Sequence, residues 1–507
     1  MTLPVGVGVV VAFDRHTRVV GGGRALVGGF PTRLLRLTPR ARGLLVGRTV
    51  PVRDAASALL ADRLVEGGMA HPVVDSLPTP PDPRYTVVIP VRDRPRQLDR
   101  LLRSINTGGT GSTGGRGSAG GSGRTGPPVI VVDDASRHPL AVAAVAARHG
   151  ARLVALDTNT GPAGARNAGL RHVTTPYVVF ADSDIVLDPG TVPTLLRHFA
   201  DPRVAMAVPR ITGLTGHTAT WIERYENTRS SLDLGAHPAP VRPGTPVSWA
   251  PTACAVARVD ALREVRGFDE GMRVGEDVDL CWRLIEAGLR VRYEPAVRAS
   301  HEHRVRLGDW FLRKAVYGTG AHPLALRHPE FIAPAVFAPW SVLFTAGLLA
   351  GRRWSAPVAG AVLGVVTLRI GRKFDGTRHP YRLAVPLAGN GALATLAQTS
   401  ALLTRHWWPL TAVGCLVSRR IRRAAAVAAL ADIALEYRPG DPGGAALDPF
   451  RYGVARRLDD LAYGAGVWFS ALKGRSTAAL RPRVTRGKPA SPGQRKEPSG
   501  PRGASRH

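Results

Sequence analysis

Between Tyr85 and Phe180 the chain alternates short apolar runs with segments whose apolar residues recur at helical spacing. Tyr85 to Pro90 reads as a buried strand, Arg94 to Ile105 as a helix, Val129 to Val132 as a strand and Ala141 to His149 as a helix. Leu153 to Leu156 and Tyr177 to Phe180 add further strands. Strand–helix alternation of this kind predicts an α/β domain, residues 84–325, built on a mostly parallel, Rossmann-like sheet with crossover helices. Ligands bind such sheets at the carboxyl ends of the strands.

The flanks read differently. In residues 1–78, Val5 to Phe13, Val19-Val20 and Ala25 to Val27 form Gly-punctuated strands. Thr38-Pro39 opens one helix, and Asp54 to Val65 forms a second, closed by Gly67-Gly68. Two short helices with a β-ribbon predict a small winged-helix-like α+β module, and Leu77 to Pro83 is its Pro-rich linker. Thr107 to Gly126 is a Gly/Ser/Thr tract, read as a disordered insertion at 107–126. Beyond residue 330 come uncharged stretches, Phe331 to Gly351, Ser355 to Leu368 and Leu383 to Thr404, bounded by arginines. The first and third have the length of a bilayer span, so 330–475 is expected to be an apolar helical, membrane-associated region; buried helices are the alternative. Residues 481–507 read as a disordered basic tail.

At 507 residues the chain exceeds one ordinary core. A net charge of +30 permits nucleic-acid binding, but the arginines are scattered and the basic tail has no aromatics, so no nucleic acid is expected. Cys254, Cys281 and Cys415 have no metal-ligand spacing and are too few for a disulfide framework. Asp14, Arg15 and Arg18 follow the first apolar run closely, which argues against a signal peptide. The expected location is the cytoplasmic face of the cell membrane.

Chemistry concentrates in two acidic clusters. Asp182-Ser183-Asp184 ends an apolar strand, and Gly275-Glu276-Asp277 opens an amphipathic helix. A carboxylate pair closing a strand can hold a divalent cation against a diphosphate, and a separate carboxylate can deprotonate an attacking hydroxyl. Together they point to sugar-nucleotide-dependent group transfer. The plainer readings are a turn for the first cluster and first-turn acids on a helix dipole for the second.

Six segments in order, Val87 to Pro95, Val131 to Ser136, Asn159 to Gly169, Asp182 to Asp184, Gly267 to Glu270 and Glu276 to Leu280, resemble the family 2 glycosyltransferases of the GT-A fold. The resemblance implies nucleotide-sugar binding by Pro90, Asp93, Asp133, Arg166 and Asp182. It also implies Mn²⁺ or Mg²⁺ held by Asp184 with His301, and Asp277 as general base supported by Glu276. Arg92 departs from the aromatic or polar residue usual there, which leaves the base contacts open; Trp249 can stack on a sugar, with a plain core role as the alternative. The ends of the chain, Leu26 to Thr38 and Leu64 to Pro72 together with the apolar C-terminal part, are similar to the mycofactocin-system glycosyltransferases of actinobacteria. Their first unit is a peptide-recognition module of the PqqD kind. That similarity implies inverting transfer of glucose, from a nucleoside-diphosphate donor such as UDP-glucose, to a peptide-derived redox cofactor, premycofactocin, building a short β-1,4-glucan. A cell-envelope polysaccharide transferase and a non-catalytic binding protein on the same fold are the alternatives.

Overall fold

The computed structural model describes residues 6–108, 126–214, 220–374, 379–437 and 447–485. The expected insertion at 107–126 and tail at 481–507 lie almost wholly outside the described residues.

The N-terminal unit runs β1 (Val10–Phe13), β2 (Arg18–Val20), β3 (Ala25–Gly28), β4 (Arg33–Arg36), α1 (Pro39–Gly43), β5 (Thr49–Pro51), α2 (Ala55–Glu66) and β6 (Ala70–Pro72). It forms two three-stranded sheets, β5-β1-β6 and β2-β3-β4. Both anticipated helices form, with Thr38 and Asp54 as their caps; Asp54 and Ser57 complete a capping box. The strands β4, β5 and β6 lack a long alternating pattern and were not anticipated, so the unit holds more sheet than a helix pair with a ribbon. Val11, Leu26, Val50 and Leu64 close its core. The unit is fastened to the next domain through Arg290, which donates to Asp62 Oδ1 at 2.7 Å, Glu66 Oε2 at 2.7 Å and Asp201 Oδ2 at 2.8 Å.

The central domain starts as predicted: β7 (Tyr85–Val91), α3 (Pro95–Gly108), β8 (Val129–Asp133), α4 (Pro139–Arg148), β9 (Arg152–Ala155), α5 (Gly161–Leu170) and β10 (Tyr177–Ala181). It continues through β11 (Ile185–Leu187), α6 (Thr191–Arg197), β12 (Val204–Gly213), α7 (Trp221–Arg229), β13 (Ala239–Val241), β14 (Cys254–Arg258), α8 (Val259–Glu264), α9 (Glu276–Glu286) and β15 (Arg290–His301). The nine-stranded sheet has the order β11-β15-β12-β14-β10-β7-β8-β9, with β13 also on β15. The strands β10, β7, β8 and β9 are parallel, as are β12 and β15, whereas β14 is antiparallel to both its neighbours and β11 and β13 are antiparallel to β15. The sheet is therefore mixed, not mostly parallel. The departure comes from β14, which enters between β10 and β12 antiparallel to both, and from β11 and β13 on β15.

Period-two alternation splits the core between the two faces of this sheet. Val87, Ile89 and Val179 pack against Leu98, Leu101 and Leu195 on one side. Val88, Val132 and Phe180 pack against Ala165, Leu262 and Leu280 on the other. A Cβ at Gly169 would stand 2.3 Å from Val88 Cγ1, so glycine there lets α5 lie close on the strands and sets the height of Arg166.

The C-terminal part contains α10 (Leu307–Thr319), α11 (Ala321–Arg327), β16 (Val336–Phe337), α12 (Pro339–Leu349), α13 (Ser355–Lys373), α14 (Pro380–Ala401), α15 (Trp408–Val417), α16 (Arg419–Glu436), α17 (Pro449–Lys473) and β17 (Arg483–Val484). Strand β17, in the stretch read as tail, pairs with β16. Among the described residues no helix is long and apolar enough to cross a membrane. This corrects the spans expected at 331–351 and 383–404. The first is broken into coil, β16 and the 11-residue α12. The second runs through α14 and past its end at Ala401, and Ala, Gly and Pro386 dilute its hydrophobicity. A charged core instead binds this region: Arg456 pairs with Asp432 at 3.0 Å and Asp460 at 2.9 Å, and Arg405 reaches Asp460 at 3.0 Å.

Candidate active site

The two acidic clusters meet at one side chain. Arg166, buried on α5, donates through Nη2 to Asp182 Oδ1 at 2.7 Å and through Nη1 to Glu276 Oε1 at 2.9 Å. Its guanidinium lies 5.4 Å from the Phe268 ring centroid. Burial works against the charge, but Asp182, Glu276 and Asp277 outweigh it and hold Arg166 firmly protonated. Gly275, at φ 83, turns the chain into α9 so that Glu276 and Asp277 fall in its first turn. Burial, then the neighbouring Glu276, push the Asp277 carboxyl up to about 7, against the opposing pull of Arg166. Asp182, Asp184, Glu276 and Asp277 all line one open cleft of about 2320 Å³.

Asp184 faces a different set of cations. Arg94 pairs with its Oδ2, and His301 Nε2 lies 3.7 Å from the same oxygen. The antiparallel pairing of Ile185 with His301, and the bond from Glu302 N to Asp184 O, set that juxtaposition. Burial raises the Asp184 carboxyl, but His301 and Arg94 overcome this and hold it below its ordinary range. His301 Nδ1 is buried without a hydrogen-bond partner. Among the described residues no three metal-ligating side chains cluster. The chain thus offers one carboxylate and one imidazole, a donor set that suits Mn²⁺ or Mg²⁺ when phosphate oxygens and water complete the shell.

The nucleotide side is less uniform. Pro90 lines the cleft, but Asp133 and Asp93 do not. Asp133, buried, accepts from Ser136 N at 3.0 Å, and Asp93 accepts from Arg137 N at 2.6 Å while its own N–H meets Ser136 Oγ at 2.9 Å. Both carboxylates pin the loop after β8. The neighbouring Asp134 does line the cleft, and it fixes the start of α5 by accepting from Thr160 N at 2.6 Å and Gly161 N at 2.9 Å. Trp249 lines the cleft as well.

Several contributors escaped the sequence reading. Arg304 and Arg313 line the cleft. Arg304 directly follows the His301–His303 run, the one local signal; Arg313, whose guanidinium lies 4.8 Å from the Tyr317 ring centroid, has none. The N-terminal unit also reaches the cleft, through Asp14, Arg15, His16 and Phe30.

These features have counterparts among known proteins. The family profile "Glycosyl transferase family 2" matches residues 86–266, and "Glycosyl transferase family group 2" matches 177–411. The chain belongs to the family 2 glycosyltransferases, enzymes of the GT-A type. Within that family it is similar to the pre-mycofactocin glycosyltransferase of Mycobacterium tuberculosis, from strains CDC 1551 and H37Rv alike. The two are 42% identical over 488 residues, covering 94% of this chain and 98% of the relative. The succinoglycan biosynthesis protein ExoO of Rhizobium meliloti is 29% identical over 187 residues, 36% of this chain and 53% of that protein. Among solved structures, a mannosyltransferase from Pyrobaculum calidifontis in complex with GDP-Man and Mn²⁺ is 21% identical with a TM-score of 0.36, covering 63% of this chain and 88% of that one.

Proposed function

We propose that this enzyme transfers a hexose, glucose from UDP-glucose, onto pre-mycofactocin with inversion, and extends it as a short β-1,4-glucan. The observation that carries the mechanism is the pair of hydrogen bonds that Arg166 donates to Asp182 and Glu276, which holds the donor-side acid and the base-side helix in one cleft. The identity of the acceptor rests on the relative, whose similarity runs through the N-terminal unit and the C-terminal helices, whereas that of the succinoglycan protein covers about a third of the chain. The sugar and its linkage rest on the resemblance to mycofactocin-system enzymes.

Asp277 takes the proton from the acceptor hydroxyl. The acceptor oxygen bonds to the anomeric carbon as the bond from that carbon to the diphosphate oxygen breaks, and attack opposite the leaving group inverts the centre. A carboxyl near 7 is matched to this task, since it is substantially ionised at neutral pH yet basic enough to accept a proton. Arg166 keeps Asp182 oriented, while Arg304 and Arg313 add positive charge on the diphosphate side. Asp184 and His301 would hold Mn²⁺ or Mg²⁺, which supplies charge neutralisation on the departing diphosphate. Asp14, Arg15, His16 and Phe30 extend the wall of the cleft, the place for the peptide-derived part of the acceptor.

The test is incubation of the purified chain with UDP-glucose, Mn²⁺ and pre-mycofactocin, read by mass spectrometry. Hexose increments on the acceptor, absent with Asp277→Asn although UDP-glucose still binds, are expected. An unmodified acceptor alongside turnover onto an envelope glycan would overturn the acceptor, and substantial turnover by Asp277→Asn would overturn the base.

A further inference from the structure

The hairpin of α15 and α16 has little cover from the other described residues. No residue of α15 is buried, and it carries no charge. Leu410, Val413 and Val417 recur at helical spacing and are 57%, 63% and 84% exposed, with Leu416 at 81%. After Ser418, α16 opens with Arg419-Arg420-Ile421-Arg422-Arg423. The turn is built rather than loose: Ser418 Oγ accepts from Ile421 N at 3.4 Å, and Arg422 Nη1 donates to Cys415 O at 2.6 Å. Ile421 packs over Gly414, where a Cβ would stand 2.8 Å from its Cδ1. The arginines are exposed, and none forms an ion pair among the described residues. Val427 and Leu430, 66% and 67% exposed, continue the apolar surface along α16.

An aliphatic stripe beside unpaired guanidiniums needs an occupant that is apolar and anionic in adjoining layers. Nucleic acid supplies phosphates but leaves the stripe in water. A second copy brings the same arginines, and a chain of +30 repels itself. A bilayer surface supplies acyl chains under the leucines and valines and phosphates under the arginines. The 10 residues of α15 rise about 15 Å, half the roughly 30 Å hydrocarbon core, so the helix can enter the interface but cannot span it. We propose that the α15–α16 hairpin docks this enzyme on an anionic phospholipid surface, with Leu410, Val413, Leu416 and Val417 in the acyl boundary and Arg419, Arg420, Arg422 and Arg423 on headgroup phosphates.

The experiment is co-sedimentation of the full chain with vesicles of phosphatidylcholine alone or mixed with phosphatidylglycerol. Binding to the mixed vesicles, weakened by salt and by omission of phosphatidylglycerol, is expected. The double variant Leu416→Glu, Val417→Glu should lose it. Each of Arg419→Gln and Arg420→Gln should weaken it about fivefold, the equivalent of about 1 kcal/mol per basic residue at a membrane surface. All variants should keep the wild-type melting temperature and donor hydrolysis, because the altered side chains touch neither the core nor the cleft. Indifference of the wild type to anionic vesicles, or unchanged binding by the glutamate variant, would overturn the proposal. So would a wild-type dimer, seen by light scattering, that the glutamate variant dissociates while neither protein binds vesicles.

Discussion

Asp277 and Asp279 stand two positions apart in the first turn of α9, share a side-chain type, and serve opposite ends. Asp279 is wholly buried and accepts from Arg283 Nε at 2.7 Å and Arg327 Nε at 2.7 Å, with His328 Nε2 at 3.0 Å. Burial raises its carboxyl, but His328, Arg283 and Arg327 prevail and hold it well below the usual range. Among the described residues Asp277 has no cation of its own: its Oδ1 accepts from the Val278 N–H at 2.8 Å, and Arg166 is already engaged by Glu276 and Asp182. The contrast shows what separates a structural acid from the one proposed as the base on the same helix. Direct donors stabilise the charge of one, whereas their absence, beside a like charge, leaves the other close to its proton.

The sharpest way to break this contrast is Asp277→Asn, expected to lower kcat by 10²–10⁴-fold with an unchanged melting temperature and donor affinity, read by single-turnover assay and calorimetry. Asp279→Ala should do the reverse, removing about 1–3 kcal/mol of stability by leaving Arg283, Arg327 and His328 without their shared acceptor, while the folded fraction keeps its turnover. The two carboxyls also predict separate acid responses. Activity should fall about tenfold per pH unit below about 7, as Asp277 takes up its proton, and that limb should vanish from the residual rate of Asp277→Asn. Asp279, depressed in the folded state, contributes stability that is complete above the ordinary carboxylate range and is lost as pH falls from there through its folded value, so its part in denaturation sets in near pH 4 and is complete only well below it. The smallest effect is expected for Arg166→Lys, which retains the charge but not the fork: about a tenfold drop in kcat/KM with little change in stability.

The sequence carried much of the first half of the catalytic domain, because apolar runs and helical spacing alternate there from Tyr85 to Ala181 and each strand end bears a motif. It failed where the chain departs from that rhythm. The antiparallel placement of β14 and β11 depends on connections no local period reveals. Asp133 and Asp93 each also accept, through Oδ1, from a backbone N–H of the following loop, a structural role that the motif alone does not reveal. Arg313, and His328 beneath Asp279, come from segments distant in the chain, so only the fold brings them in. The uncharged C-terminal stretches suggested spans because charge is easy to count, whereas helix breaks and Ala/Gly dilution act through length and packing.

The clasp of Arg290 on Asp62, Glu66 and Asp201 bears on how this enzyme selects its acceptor. A recognition unit on a slack linker raises local concentration and leaves the catalytic groove to do the choosing. With the unit held by charge against the sheet, Arg15, His16 and Phe30 are masonry rather than bait: if the unit takes the acceptor, as proposed, a molecule of the wrong outline would be refused at the entrance, before any sugar is at stake.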